Sequence, residues 1–574
     1  MGIFHFFGWF KNQFSGSIKK LSSSQKLKDI DVNIDNLMID MNGLFHNSAQ
    51  KIYEYGSFKP KDSSLEKDKR QKFNTPKQQQ KVYEDVCKSI EDLLILVKPN
   101  KRLILCVDGP APFSKIVQQR RRRFKSSMER EEDDSNFDSN SITPGTKFMD
   151  HLSKYIDWYI RKRISEDPLW QNIEIIFSNE KVPGEGEHLL LNYVRQYGNP
   201  EESYCIQGAD ADLIMLSLGT QLPKFYILRE DTYDKDNKYF VIDIENTSLQ
   251  LSEIMRWESE KFEYDHRNAI DDFIFLCFLI GNDFLPHIPS LEIIESGIDI
   301  IISIYKDVGK EHGHILKYKN GDIYFNKEVL KVFFEHVSEY ERPILEKKLR
   351  NRRFYFQDEI LESCAIFEPN KITLDIKKYR LDYVNKYFKD MDMEKVCQSY
   401  LEGVYWVITY YKKGVPDWKW YYPYDYAPPA TEIIKYISKF IFPKYNRHTY
   451  ALLPFQQLLC VLPPKSAKLL PEPLNKLITD HDSPIKDFYP DEFEIDLAGK
   501  KNDWQGIVIL PIISPDIIVK EYTKFYDKLN DFDKRRNIFG KSFIYTFDKD
   551  KSITFNSYYG NILNCRVKNK FINL

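Results

Sequence analysis

No stretch of this 574-residue chain offers the roughly twenty uninterrupted apolar residues that a membrane helix needs, which excludes a membrane-spanning reading. The opening MGIFHFFGWF is apolar but short; it lacks a basic leader and a small-residue cleavage site, and Phe6 breaks the acylation pattern. There is no CxxC pair. The eight cysteines stand singly, at Cys87, Cys106, Cys205, Cys277, Cys364, Cys397, Cys460 and Cys565, which argues against structural zinc and dithiol redox chemistry and points to a reducing, intracellular compartment. Nor does either sign of charge dominate, with 83 Lys and Arg against 85 Asp and Glu, so a nucleic-acid surface would have to be a local patch on a balanced protein.

What is present is a set of acids placed after apolar runs. FSNEKVPGEGEH and YCIQGADADLIML plant Glu185, Glu187, Asp210 and Asp212 in two pairs spaced i and i+2. NLMIDMNG ends a hydrophobic run in Asp40, KRLILCVDGP ends another in Asp108, and IDDFIFLCFLIGNDF delivers Asp283. Runs of this kind, bounded by Gly and Pro, read as buried strands of a parallel sheet, and the run before Asp283 reads as a helix. The crevice of an open α/β sheet lies beyond the carboxyl ends of its strands, so these seven carboxylates can converge on one edge. Two carboxylates about 4 Å apart repel by roughly 4 kcal/mol at an effective dielectric near 20, so such a cluster calls for divalent cations or for some protonated members. Oxygen-only ligation favours Mg²⁺ or Mn²⁺, and two ions 3.5 to 4 Å apart, roughly, are the usual arrangement for cleaving phosphodiesters.

A basic helix follows Asp108. In KIVQQRRRRFK, Lys115, Gln119, Arg122 and Arg123 fall at i, i+4, i+7 and i+8, hence on one face suited to gripping a phosphate. The spacing predicts a further helix beginning at Thr143-Pro144, preceded by an exposed charged loop, and a strand pair leading into a helix over residues 226–265. From Tyr400 the segment YLEGVYWVITYYKKGVPDWKWYYPYDYAPP packs three Trp and eight Tyr into thirty residues, implying a second packed layer. His46, Trp406, Trp418, Trp420 and Trp504 are each either core or a platform on which an unpaired base stacks.

In order and wording, the motifs IDMNGLFHN, VDGPAPFSKIVQQRRRRF, VPGEGEH, GADADLIML, IGNDFLPH, EGVYWVITYYKKGVPDWKWYYPYDYAP and DLAGKKNDWQGIVILP resemble the XRN 5′-3′ exoribonucleases. The resemblance implies an α/β fold with a mostly parallel central sheet flanked by helices, a PIN/FEN-like nuclease core, and a second aromatic-rich region packed around it. The expected division is an N-terminal nuclease domain over 1–300, a helical linker over 301–395, the second region over 396–520 and a C-terminal cap over 521–574.

Carried over by position, the implied metal and catalytic acids are Asp40, Asp108, Glu185, Glu187, Asp210, Asp212 and Asp283. The implied 5′-phosphate pocket is Lys115, Gln119, Arg122 and Arg123, and the base-stacking pair is His46 with Trp504, with Trp418 in reserve. The implied activity is processive hydrolysis of single-stranded RNA from a 5′-monophosphate end, releasing nucleoside 5′-monophosphates with two Mg²⁺ or Mn²⁺ ions. The expected form is a soluble, intracellular monomer and a minimal catalytic unit without the extra C-terminal domains or zinc knuckle of larger relatives. The alternatives are a structure-specific DNA flap nuclease, which shares the acidic sheet edge, and an RNA-binding scaffold without turnover.

Overall fold

Five apolar runs of four to six residues form the parallel strands of a nine-stranded sheet. The computed structural model describes residues 6–58, 73–128, 136–231, 237–293, 296–351, 358–369, 371–445, 448–500 and 505–574. The sheet strands are β1 (Ile18–Ser22), β2 (Asn36–Asp40), β3 (Arg102–Cys106), β4 (Glu174–Ser178), β5 (Tyr204–Gln207), β6 (Phe225–Glu230), β7 (Asn237–Asp243), β8 (Ser542–Phe547) and β9 (Val567–Ile572). Their order is β1-β7-β6-β5-β2-β3-β4-β8-β9. The strands β6, β5, β2, β3 and β4 are mutually parallel, and antiparallel strands extend the sheet at both ends. Leu37, Met38, Ile39, Leu103, Ile104 and Leu105 are fully buried, as expected where helices cover both faces of a parallel sheet.

The helices that matter for the site are α1 (Met41–Tyr53), α2 (Phe113–Met128), α3 (Lys147–Glu166), α4 (Gly186–Tyr197), α5 (Asp212–Thr220), α6 (His266–Cys277), α7 (Ile376–Tyr387) and α8 (Met393–Lys413). Helix α3 starts three residues later than the sequence suggested. Gly145 takes a φ of 90°, which breaks the Thr143-Pro144 start, and Thr146 caps the helix by accepting from Met149 N–H. Of the exposed charged loop expected before it, over 125–141, residues 129–135 lie outside the described residues, 125–128 instead end helix α2, and Phe137, Asp138, Asn140 and Ser141 are buried rather than exposed.

Two regions are more integral than their sequence implied. Residues 301–395, expected to connect, carry two β-hairpins as well as helices, and Ile301, Tyr305, Phe333 and Phe334 are buried in the same core as α6 and α8. The C-terminal segment does not cap the fold from outside: β8 pairs antiparallel with β4, satisfying backbone groups that an edge strand would leave open. The back of α2 (Phe113, Ile116, Phe124) packs into a core built from residues 452–529, locking the aromatic-rich half against the sheet. The eight cysteines are free and buried. No helix among the described residues is long and apolar enough to cross a membrane.

Candidate active site

The in-register alignment of β5, β2, β3 and β4 sets the chain turns that carry the acids at a single sheet edge. Asp40, the last residue of β2, lies opposite Cys106 of β3 and also caps α1, accepting from Asn42 N–H at 3.4 Å. Asp108 follows β3 by two residues, Glu185 precedes α4, Glu187 lies in its first turn, and Asp212 begins α5 just after β5 and Asp210. Gly186 makes this convergence feasible. A β-carbon there would sit 2.9 Å from Asp40 Oδ1 and 3.3 Å from Asp108 Oδ1, so both carboxylates close on a residue that must lack a side chain. Gly186 N–H donates to Asp108 Oδ1 at 2.6 Å. Asp283 arrives from α6 through a turn in which Asn282 Oδ1 accepts from Phe284 and Leu285 N–H, each at 2.8 Å.

Burial and mutual repulsion dominate the electrostatics. Burial first, then Asp108 and Asp210, push the Asp40 carboxyl well above its ordinary range. Glu187 is raised in the same way, with Asp210, Glu185 and Asp212 adding to burial. Burial and then Asp283 lift Asp212 to about 7. One cation works against this. Lys115 Nζ lies 2.6 Å from Glu185 Oε2 and 2.7 Å from Asp283 Oδ2. Burial alone would lower the Lys115 pKa, but Asp283, Glu185 and Glu187 outweigh it and keep the ammonium protonated. In turn Lys115 overcomes the effect of burial on Asp283 and is the main group holding that carboxyl down at about 2.

Among the described residues no three His, Cys, Asp or Glu side chains are drawn close enough to enclose an ion. The acids still act on one another electrostatically, and Lys115 is paired with two of them, Glu185 and Asp283. The donor set still suits a hard divalent cation: it is all oxygen, and Glu187 Oε2 and Asp212 Oδ1 are buried with no hydrogen-bond partner.

Of the four residues expected to grip phosphate, Gln119 and Arg123 are buried, Arg122 is exposed, and Lys115 is turned to the acids. Gln119 Oε1 and Arg123 Nη1 have no hydrogen-bond partner. Burial and the adjacent Arg122 push the Arg123 guanidinium down to about 9, with Asp138 and Asp108 opposing. His46, on α1, stands beside the same arginines; burial, then Arg122 and Arg123, lower it to about 4, so its ring is neutral. Trp504 lies outside the described residues. Trp406 is fully buried, its ring 5.0 Å from that of Trp420, and both are core; Trp418 is half-buried and its carbonyl accepts from Phe113 N–H at the start of α2.

Three site residues had not been picked out from the sequence. Asn42 grips Asp108 twice, donating from Nδ2 to Oδ2 at 2.8 Å and accepting from its N–H at 3.0 Å. Its position two residues past Asp40, on the first turn of α1, was the available signal. Tyr410 of α8 donates to Glu185 Oε1 at 2.9 Å, and His188 stacks on it with ring centres 3.7 Å apart. Through Tyr410 the aromatic-rich half reaches the acids directly.

A family model described as XRN 5′-3′ exonuclease N-terminus matches residues 1–231, and one described as Xrn1 helical domain matches residues 263–372 and 371–571. Among curated proteins, 5′-3′ exoribonuclease 2 of Gallus gallus is 29% identical over 94% of this chain and 72% of its own length. The 5′-3′ exoribonuclease 2 homolog of Drosophila melanogaster is 28% identical over 95% of this chain and 73% of its own. For 5′-3′ exoribonuclease 1 of Saccharomyces cerevisiae the identity is 27% over 98% of this chain, which spans only 46% of that protein. A solved structure titled the catalytic core of Rad2 in complex with DNA substrate aligns with a TM-score of 0.31 and 12% identity, covering 77% of this chain and 100% of that one, too weak a likeness to bear on the site. With both family models matched in order over nearly its whole length, the chain belongs to the XRN 5′-3′ exonuclease family.

Proposed function

We propose that this protein is a 5′-3′ exoribonuclease that degrades single-stranded RNA processively from a 5′-monophosphate end and releases nucleoside 5′-monophosphates. Family membership and the names of the relatives support the substrate and the direction of attack. The seven acids Asp40, Asp108, Glu185, Glu187, Asp210, Asp212 and Asp283 would hold two divalent cations, Mg²⁺ or Mn²⁺, which when bound supply charge neutralisation and a polarised water for phosphodiester hydrolysis.

The chain's own residues do the positioning. Asn42 and Gly186 N–H fix both oxygens of Asp108, so that carboxylate is held ready without reorganising. Lys115 and Tyr410 hold Glu185 from two sides, and Lys115 also anchors Asp283. The neutral ring of His46 offers a face to an unpaired base beside Arg122 and Arg123.

The observation that carries the reading is the unpartnered Arg123 Nη1 beside Arg122, two cations on the helix that also sends Lys115 into the acids. Buried donors without acceptors are costly, and a terminal phosphate supplies oxygens in the geometry a guanidinium fork prefers. A 5′-hydroxyl brings no anion there, and a triphosphate or cap brings more bulk than one phosphate. The test is the decay rate of otherwise identical RNAs carrying 5′-monophosphate, 5′-hydroxyl or 5′-triphosphate ends. The monophosphate should decay fastest by tenfold or more, in line with a charge-assisted contact of about 1.5–3 kcal/mol. Equal rates on all three would remove the pocket.

A further inference from the structure

Glu185 depends on other elements for its direction. Asp40 caps the helix it precedes, and Asp108 is gripped by Asn42 and by Gly186 N–H, but Glu185, at the N-terminus of α4, makes no side-chain bond to its own helix. A glutamate also carries one more rotatable bond than an aspartate, so more freedom must be removed to aim it. Two groups remove it. Lys115 Nζ meets Oε2 at 2.6 Å, and the Tyr410 hydroxyl donates to Oε1 at 2.9 Å. Lys115 is shared with Asp283 and stands on the phosphate-gripping helix, whereas the Tyr410 hydroxyl is committed to Glu185.

Tyr410 is itself immobilised. It is 1% exposed; His188 stacks on its ring with centres 3.7 Å apart at 7°, while Trp406 and Phe284 close in at 5.0 and 5.8 Å. The buried Nδ1 of His188 has no hydrogen-bond partner, so the contact His188 makes with Tyr410 is the flat face of its ring. The turn of α8 that carries Tyr410 is bolted to the helices around the acids. Arg195 of α4 donates to the Tyr411 carbonyl at 3.1 Å, and Lys412 Nζ meets Asp271 of α6 at 2.9 Å and the Gly219 carbonyl of α5 at 2.8 Å. A hydroxyl fixed in this way holds a carboxylate in one orientation without having to rearrange when the site is used.

We propose that Tyr410, steadied by the ring of His188, is a positioning residue: it sets the Glu185 carboxylate for cation binding and thereby the cleavage rate, and takes no part in gripping RNA. The proposal rests on the exoribonuclease reading above and deepens it, giving the aromatic-rich half a part in the chemistry across 225 positions of sequence. Groups that hydrogen-bond a metal-ligating carboxylate are worth about ten- to a hundredfold in metal affinity or activity.

Tyr410→Phe removes one hydroxyl and keeps the stack. The affinity for Mn²⁺ alone, read without RNA from the free-ion electron paramagnetic resonance signal, should fall about tenfold or more. On 5′-monophosphate RNA kcat should fall with it, while KM changes by less than about twofold, a split that a loss of RNA grip would reverse. In Glu185→Ala, which removes the acceptor, adding Tyr410→Phe should cost no further Mn²⁺ affinity. His188→Ala should repeat the Tyr410→Phe loss, and His188→Phe, which restores a stacking face, should recover most of it. An unchanged Mn²⁺ affinity in Tyr410→Phe, a loss just as large in the Glu185→Ala background, or a rise in KM in place of a fall in kcat overturns the assignment; so does a His188→Phe variant no better than His188→Ala. If Mn²⁺ affinity responds as expected while the unaltered protein cleaves no RNA, the positioning role stands and the exoribonuclease reading fails. Cleavage by a Tyr410→Phe variant with unchanged kcat and Mn²⁺ affinity has the opposite meaning.

Discussion

Replacing Lys115 by Met should remove the counter-charge that faces Glu185 and Asp283 in a buried acidic cluster, and divalent cations should repair the damage. The Lys115 side chain is 14% exposed, and those of Glu185 and Asp283 are 4% and 9% exposed, so water contributes little screening. Removing one partner of a buried ion pair costs about 3–5 kcal/mol because it leaves the other charge uncompensated. At roughly 2 °C per kcal/mol for a large chain, Tm in chelator near pH 8 should fall by about 6–10 °C.

Two controls separate this from a generic packing loss. With its main opponent gone, burial would raise the Asp283 carboxyl from its position at about 2, so the deficit in chelator should shrink as the pH is lowered from about 8 toward 5 and the carboxyls take up protons. In the unaltered protein the sign is opposite: a carboxyl held below its ordinary 3.8 contributes stability that is complete above that value and lost as the pH falls through about 2. A cation at a hundredfold its Kd stabilises by about 2.7 kcal/mol, and without the competing ammonium it should bind more tightly. The Mn²⁺-induced rise in Tm, read by scanning fluorimetry, should therefore be larger in Lys115→Met than in the unaltered protein. A variant equally destabilised with and without Mn²⁺, at every pH, would refute the reasoning.

Arg123→Ala should raise KM for 5′-monophosphate RNA by about tenfold or more with little loss of Tm, since the guanidinium has an unpartnered buried donor in the free protein; steady-state kinetics with an unchanged KM would contradict this. Asn42→Ala removes both bonds to Asp108, at 2.8 and 3.0 Å, and should cost about 1–3 kcal/mol in urea unfolding while lowering the maximal cleavage rate at least about tenfold. Gly109→Ala would place a β-carbon 1.7 Å from the Val182 carbonyl oxygen, backbone that cannot yield cheaply, so a loss on the order of 3 kcal/mol or more is expected; an unaltered unfolding midpoint would show that this turn moves freely.

The elements legible in the sequence are those whose signal is local. Buried parallel strands are continuous apolar runs, so β2, β3 and β5 stood out together with the acids at their ends, and the i, i+4 spacing of Lys115 and Gln119 marked α2. The unread parts depend on partners remote in the chain. Asn42 meets Asp108 across 66 positions and Tyr410 meets Glu185 across 225, and neither residue's neighbourhood reveals its partner. The same holds for β8, whose short SFIYTF run gives no sign that its partner is β4, more than 360 residues earlier. The direction taken by Lys115 was hidden for another reason. Helical spacing places it near Arg122 and Arg123, but the unpaired charge of Glu185 and Asp283 draws its flexible stem toward the acids.

The central claim is that carboxylates at one sheet edge hold divalent cations beside a phosphate-gripping helix. Anomalous scattering from crystals grown in Mn²⁺ tests it most directly. Peaks should appear between Asp40, Glu187, Asp210 and Asp212, within ligand distance of oxygens such as the unpartnered Glu187 Oε2 and Asp212 Oδ1. A map with no Mn²⁺ peak among these acids, at concentrations where the protein cleaves RNA, would contradict the account.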